Sequence, residues 1–242
     1  MAETDSFRIL VIDDSALILR MVSDTLNEAG FEVSTAFSGE EALELISRFG
    51  LPHLALVDIN MPPGMDGFEF CEIVHEYSDL PVIMLTAIDH EETIVQAIEQ
   101  YAEDYITKPF NSGELVARVR RVLRRIGDFT YTLDPVTQVD EYLSIDFPGR
   151  KAIINGEPIS LTPTEAKLLY ILMRSAGRTV TTSFLLRRLW PLERVNEERL
   201  RVYVHRLRRK LEDQSLPLEY IASERGIGYC FTVRPAASPQ MQ

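Results

Sequence analysis

Five residues at four well-separated places in the chain could act together on a phosphoryl group: Asp13 and Asp14, Asp58, Thr86 and Lys108. Three carboxylates gathered at one point repel one another unless a cation sits among them, and an oxygen-only cluster of that kind suits Mg²⁺. Such a site could hold a phosphoryl group on Asp58, with Mg²⁺ and Lys108 neutralising its charge and Thr86 donating a hydrogen bond. Singly, each residue has an ordinary explanation. Acids at strand ends cap helices, and Lys108-Pro109 could belong to any loop. What argues for chemistry is their joint placement by the surrounding pattern.

That pattern alternates short apolar runs with amphipathic stretches. The runs are Ile9 to Ile12, Leu54 to Val57, Val82 to Leu85 and Tyr105-Ile106, with Glu32 to Thr35 as a weaker fifth strand. Helical periods lie around Ala16 to Ala29, Gly39 to Phe49, Gly67 to Tyr77, Glu91 to Tyr101 and Ser112 to Arg125. Regular alternation implies a five-stranded parallel sheet with helices on both faces, an α/β domain. In such a sheet the ligand site lies beyond the carboxyl ends of the strands. Asp13-Asp14, Asp58 and Thr86 end three of the strands and Lys108 follows a fourth, so all five residues are expected at one edge.

Residues 142 to 235 have another character. YLSIDF and KAIING are expected strands, Asn155-Gly156 is a tight-turn signal, and helical stretches run over Pro163 to Ala176, Thr182 to Trp190 and Asn196 to Gln214. Leu218 to Ala222 and Ile227 to Val233 form a closing hairpin around Glu224-Arg225-Gly226. The stretch from Arg199 to Lys210 holds six Arg or Lys and no acid, inside a chain of formal net charge -12. Leu200, Val204, Leu207 and Leu211 recur at helical spacing, so one face can pack while Val202, His205, Arg206 and Arg209 look outward, with Arg201 and Arg208 on the flank. Such a face could enter a DNA major groove.

Charge divides the chain at the same place. Residues 1 to 126 carry 9 basic and 23 acidic side chains, and the remainder 16 and 14. Residues 127 to 141 read as a linker with some extended character and 236 to 242 as a disordered tail. Two cysteines, Cys71 and Cys230, are too few for a disulfide framework or a metal knuckle and fit a reducing cytoplasm. The acidic N-terminus is unlike a signal peptide, and no apolar run approaches a membrane span, so a cytoplasmic location and no membrane partner are expected.

Residues 8 to 125 resemble the receiver domain of two-component signalling through VIDD, LVDINMP, LTA and KPF. The resemblance implies that Asp58 is a phosphoacceptor served by a sensor histidine kinase and that Asp13, Asp14, Asp58 and the Asn60 carbonyl hold Mg²⁺. It also implies Thr86 and Tyr105 as switch residues and Lys108 as the phosphate contact. LTPTEAKLL, GRTVTTSFLLRRLW, the basic helix and ERGIGYCF resemble the winged-helix, α+β effector domain of OmpR/PhoB-type regulators. That implies double-stranded DNA as partner: Val202, His205 and Arg206 at bases, Tyr203, Arg208 and Ser223 on phosphates, Arg225 in the minor groove, and Arg201 among the DNA-binding residues. A homodimer formed on phosphorylation through Glu103, Asp104, Glu114, Arg118 and Arg125 is implied too. RNA polymerase would be a further partner, although PLERVN leaves a short loop where it is contacted.

Four departures qualify the resemblance. DINMPPGMDG is one residue longer than the usual pattern, which would reshape the loop beside the site. Tyr101 stands in the place of a glycine, where positive φ would be costly. Ile94 replaces a basic residue of the dimer face, and Glu198 a basic residue of the recognition helix. The chain is therefore expected to be a phosphorylation-controlled transcription regulator and not an enzyme. Its alternatives are a regulator that binds DNA without phosphorylation and an aspartyl-phosphate phosphohydrolase.

Overall fold

A computed structural model of the chain describes residues 7–87, 101–126, 134–191, 193–212 and 219–232. The chain divides into two compact units, residues 1–74 with 80–127 and residues 75–79 with 128–242. The first holds β1 (Arg8–Ile12), α1 (Ala16–Glu28), β2 (Glu32–Ala36), α2 (Gly39–Phe49), β3 (Leu54–Asp58), α3 (Gly67–Tyr77), β4 (Val82–Ala87), β5 (Asp104–Lys108) and α4 (Ser112–Ile126). Its five strands are all parallel, in the order β2-β1-β3-β4-β5. The order reverses direction beside β1, which places a crevice above the ends of β1 and β3, where such folds bind ligands.

Burial explains why the central strands read as continuous apolar runs. β3 is buried at every residue, and Leu54, Leu56, Ile83 and Leu85 pack with Leu19, Val22 and Leu26 of α1 and Leu115, Val119 and Val122 of α4. Strands covered on both faces have no polar alternation to display. β5 is longer than its two-residue signal: Lys108 is its last residue, one past the Thr107 that pairs with Thr86. The helix expected from Glu91, and with it Ile94, lies outside the described residues. Tyr101 is helical, so the turn before β5 avoids positive φ there, and its hydroxyl donates to Glu72 Oε1 at 2.8 Å.

The second unit starts with an antiparallel sheet of β6 (Thr137–Gln138), β7 (Leu143–Asp146), β8 (Lys151–Ile154) and β9 (Glu157–Ser160). β6 falls inside the stretch read as linker, whose residues 134–141 therefore join the sheet in part; a two-residue strand is too short to show alternation. Asn155 and Gly156 take φ of 51° and 84°, the paired left-handed conformation that a two-residue hairpin between Ile154 and Glu157 requires. Three helices follow, α5 (Pro163–Arg174), α6 (Thr182–Leu189) and α7 (Glu197–Leu211). The chain then forms the hairpin β11 (Ile221–Glu224) and β12 (Gly228–Phe231), which pairs with the short β10 (Val180–Thr181). Gly228 is needed there, since a Cβ would lie 1.9 Å from the Val180 carbonyl oxygen. The expected tail lies outside the described residues.

α7 is anchored at both ends. Asn196 caps its start by accepting from the Arg199 N–H at 3.2 Å, and Leu200, Val204, Leu207 and Leu211 are buried as the spacing requires. Near its end, Lys210 Nζ donates to Glu165 Oε2 at 2.6 Å and to the Ser160 carbonyl at 2.8 Å. Glu165 also accepts from the Thr162 N–H at 2.8 Å while Thr162 caps α5, a reciprocal pair that joins the start of α5 to the ends of α7 and β9. Burial works against the Glu165 charge, but the hydrogen bonds from Lys210 and Thr162 outweigh it and hold the carboxyl below its ordinary value. A depressed carboxyl contributes stability that is complete above the ordinary 4.5 and is lost as pH falls through the lower folded value. Glu165→Gln should therefore destabilise the second unit by about 1–2 kcal/mol at pH 7. The deficit should shrink below about pH 4.5. Urea unfolding followed through Trp190, the sole tryptophan, checks both effects.

Candidate functional site

The carboxyl ends of β1 and β3 bring Asp13, Asp14 and Asp58 together, with ligand oxygens all within 4.8 Å of one another. Asp13 is fully buried, Asp58 is 7% exposed and Asp14 is open to solvent. Lys108 reaches in from the end of β5, its Nζ 2.6 Å from Asp13 Oδ2 and 2.9 Å from Asp58 Oδ2. The other oxygen of Asp13, Oδ1, accepts from the Ser15 N–H at 2.9 Å and so shapes the entry to α1.

The electrostatics follow from that geometry. Burial pushes the Asp58 carboxyl above its usual range, more than the hydrogen bond from Lys108 lowers it, and the Asp13 and Asp14 charges add to the rise. Burial would lower Lys108, but its hydrogen bonds to Asp13 and Asp58 prevail and raise it. One ammonium group thus serves two buried acids and leaves a surplus of negative charge. An oxygen-only donor set with an open side at Asp14 is what a small hard dication takes, so these residues fit Mg²⁺.

Thr86 is 5% exposed on β4, next to the edge that carries Asp58. Tyr105, on β5, is 49% exposed. The pairs expected across a dimer are closed within one chain: Arg118 binds Asp104 at 3.0 Å and Glu114 at 2.9 Å, and Arg125 binds Glu103.

The loop after Asp58 is tied back to the body of the first unit. Asn60 is exposed between the buried Ile59 and Met61, and Gly64 takes a φ of 118°. The loop then bends back to α2, where the Met65 N–H donates to Glu40 Oε1 at 2.9 Å and the Met65 side chain packs on Gly39. Gly67 returns to the site itself, with its N–H on the Ile59 carbonyl and no room for a Cβ beside the Asp58 carbonyl. Asp66 caps α3 through the Phe68 and Glu69 N–H groups, both at 2.8 Å. Glu40 escaped sequence reasoning. Ser38 caps α2 by accepting from the Glu41 N–H, and the Glu41 side chain accepts from the Phe37 N–H, but nothing local marks Glu40 as the clamp of a loop 25 residues away.

In the second unit the outward face of α7 carries Arg201, Val202, His205, Arg206 and Arg209, all of them exposed. Arg225 stands exposed at the tip of the β11–β12 hairpin. A groove of about 470 Å³ separates the two, with Arg201, His205 and Arg208 on one wall and Ser223, Arg225 and Tyr229 on the other. Several cations have partners at home. Arg201 pairs with Glu197, and Arg199 pairs with Glu193 and lies 4.8 Å over the Trp190 ring. Tyr203 packs on Trp190 at 5.4 Å, with the Arg206 guanidinium 5.7 Å from its ring. Arg208 is turned toward the hairpin, donating to the Ile221 carbonyl and to Ser223 Oγ. Glu198 is exposed on the same helix.

Comparison with known proteins divides the chain in the same way. Residues 9–120 match the family described as response regulator receiver domain, and residues 156–231 match transcriptional regulatory protein, C terminal. The probable transcriptional regulator ycf27 of Pyropia yezoensis is 38% identical over 235 residues, 95% of this chain and 96% of its own. The DNA-binding response regulator MtrA of Mycobacterium leprae is 39% identical over 223 residues, 92% of this chain and 96% of its own. Among solved structures, the response regulator DrrB, a Thermotoga maritima OmpR/PhoB homologue, is 31% identical with a TM-score of 0.44, and the match covers 94% of this chain and 99% of that one.

Removing one partner of a buried charge cluster costs more than removing a repelling member. In metal-free buffer Lys108→Ala should destabilise the first unit by about 3 kcal/mol, because Asp13 and Asp58 lose their common cation. Asp58→Asn should cost far less, or stabilise, since it deletes a charge that burial disfavours. Thermal unfolding of the two variants beside the parent checks the order, and added Mg²⁺ should restore part of the Lys108→Ala loss.

Proposed function

The chain belongs to the OmpR/PhoB-type response regulators of two-component signalling, a receiver followed by a DNA-binding transcription-regulator domain, and on that footing we propose that Asp58 is its phosphoacceptor. The observation that carries the reading is the carboxylate cluster, buried at Asp13 and Asp58 and open at Asp14, with Lys108 between the two buried acids. Asp58 attacks phosphorus of a phosphohistidine on a sensor kinase; a P–O bond forms, the P–N bond breaks, and the imidazole nitrogen keeps the electron pair. Asp13 and Asp14, with Asp58 and the Asn60 carbonyl, would hold Mg²⁺, which supplies charge neutralisation for the phosphoryl oxygens. Lys108 is already at hydrogen-bond distance from the nucleophile and follows the new negative charge. Thr86 donates to a phosphoryl oxygen from the neighbouring strand, and Tyr105 on β5 moves with it.

The second domain reads DNA with α7 in the major groove and the hairpin in the minor groove. Val202 meets a thymine methyl, His205 and Arg206 reach base edges, Arg201 and Tyr203 lie toward the backbone, and Arg225 enters the minor groove. Phosphorylation strengthens binding by favouring a homodimer. Because Arg118 and Arg125 are engaged within their own chain, pairing them with Glu103, Asp104 and Glu114 of a second copy exchanges one set of ion pairs for another. Exposed pairs contribute only about 0–1 kcal/mol each, so the dimer is weak and sensitive to salt.

With Mg²⁺ and a small acyl phosphate, the protein should acquire one acid-stable, base-labile phosphoryl group and Asp58→Asn none; unchanged labelling of that variant would remove the assignment. On the DNA side, a good bidentate base contact discriminates by about 1–3 kcal/mol. Arg206→Ala should therefore lower affinity for a selected duplex more than for a scrambled one. Equal loss on both duplexes would mean that another residue reads the sequence.

A further inference from the structure

Of the six cations between Arg199 and Lys210, as many as four are held by acids, carbonyls or hydroxyls within the second unit: Arg199, Arg201, Arg208 and Lys210. Arg208 differs from the other three in that its partners lie on the hairpin. Its Nε donates to the Ile221 carbonyl at 2.8 Å, Nη2 donates to the same oxygen, and Nη2 also reaches Ser223 Oγ at 2.9 Å. Ile221 and Ser223 are two residues apart on β11, the strand that leads to the tip at Arg225. The side chain is 28% exposed, with Glu219 3.8 Å away as a further negative partner.

We propose that Arg208 is a positioning residue: it brackets the hairpin to the recognition helix at a fixed pitch and so presents Arg225 to the duplex, in place of gripping a phosphate itself. The inference rests on the reading of this unit as a DNA-binding domain. The hairpin needs such a bracket. β11 and β12 have four residues each and β10 only two, too little pairing to hold a two-stranded arm rigidly. A planar guanidinium with two donors on one carbonyl and a third contact on the next same-side residue fixes direction as well as distance. A lysine ammonium would keep the charge and lose that geometry. The same bonds leave Arg208 little to offer a phosphate, because a cation already engaged with carbonyl, hydroxyl and carboxylate displaces few counterions from DNA.

Full-length chain is titrated with a duplex carrying half-sites selected from a random pool and with a scrambled duplex, at several salt concentrations. Arg208→Ala and Arg208→Lys should each weaken binding to the selected duplex about tenfold, the scale of a charge-assisted hydrogen bond. The salt slope should stay that of the parent. If Arg208 acts by placing Arg225, their losses overlap: Arg208→Ala with Arg225→Ala should be within about twofold of the worse single variant. Ser223→Ala, which deletes one bracket contact and no cation, should show a smaller loss with the same overlap. In DNA-free protein, tryptic cleavage after Arg225 should be several-fold faster in both Arg208 variants. A phosphate contact predicts the opposite set, with affinity kept by Arg208→Lys, a salt slope about one unit smaller in Arg208→Ala, and losses that multiply with Arg225→Ala. Either that set or unchanged tryptic rates would overturn the proposal. Failure of the parent to prefer any duplex would overturn the DNA-binding reading instead, and the tryptic rates would still decide the bracket.

Discussion

Lys108 sits 2.6 Å from Asp13 and 2.9 Å from Asp58, and without a cation at that point β1 and β3 could not both end in carboxylates below the surface. Like charges at such distances in a poorly solvated edge repel strongly, and desolvation penalises each of them separately. The parallel sheet makes the arrangement available by stacking the ends of β1, β3 and β5 along one rim. Lys108 makes it tolerable. What remains is a site with more negative charge than its own cation can balance, and that imbalance is the property a dication and a phosphoryl group exploit.

Local devices then steer the backbone around this cluster. Asp13 turns the chain into α1, Asp66 starts α3, and Gly67 lets the returning loop touch the Asp58 carbonyl. Glu40 ties the loop after Asp58 down from α2. The second unit follows a comparable logic with the signs reversed, since Glu165 and the carbonyls of Ser160 and Ile221 receive cations from the last turns of α7. In both units, charged side chains that attract attention as reactive or ligand-binding groups also serve as fasteners.

The sequence is legible wherever periodicity or spacing carries the information. Central strands covered on both faces, the buried stripe of α7 and the Asn155-Gly156 turn can all be read from neighbouring residues, and so can the convergence of Asp13, Asp58 and Lys108 once the strands are placed. Less legible are features whose cause is distant in the chain. β6 is too short for a pattern, β5 extends beyond its apolar pair to include Lys108, and the partner of Glu40 is 25 residues away. Charge is the most misleading signal. Arg206 and Arg208 are indistinguishable as letters in a basic run, and only the fold reveals that one lies against the Tyr203 ring on the outward side while the other bonds to β11.

The internal neutralisation of α7 bears on how this protein distributes itself in a cell full of DNA. Non-specific complexes are held almost entirely by counterion release, so each cation kept at home weakens the hold of bulk sequence. Genomic DNA offers about 10⁶–10⁹ competing sites, and the fraction of molecules trapped on them falls with that hold. A DNA-binding regulator whose basic helix keeps Arg199, Arg201, Arg208 and Lys210 partly occupied, on a chain of net charge -12, should leave more of its copies unbound in solution. Free copies are the ones that can meet a kinase partner and return, so the frugal use of positive charge on one helix bears on the size of the pool through which a signal circulates.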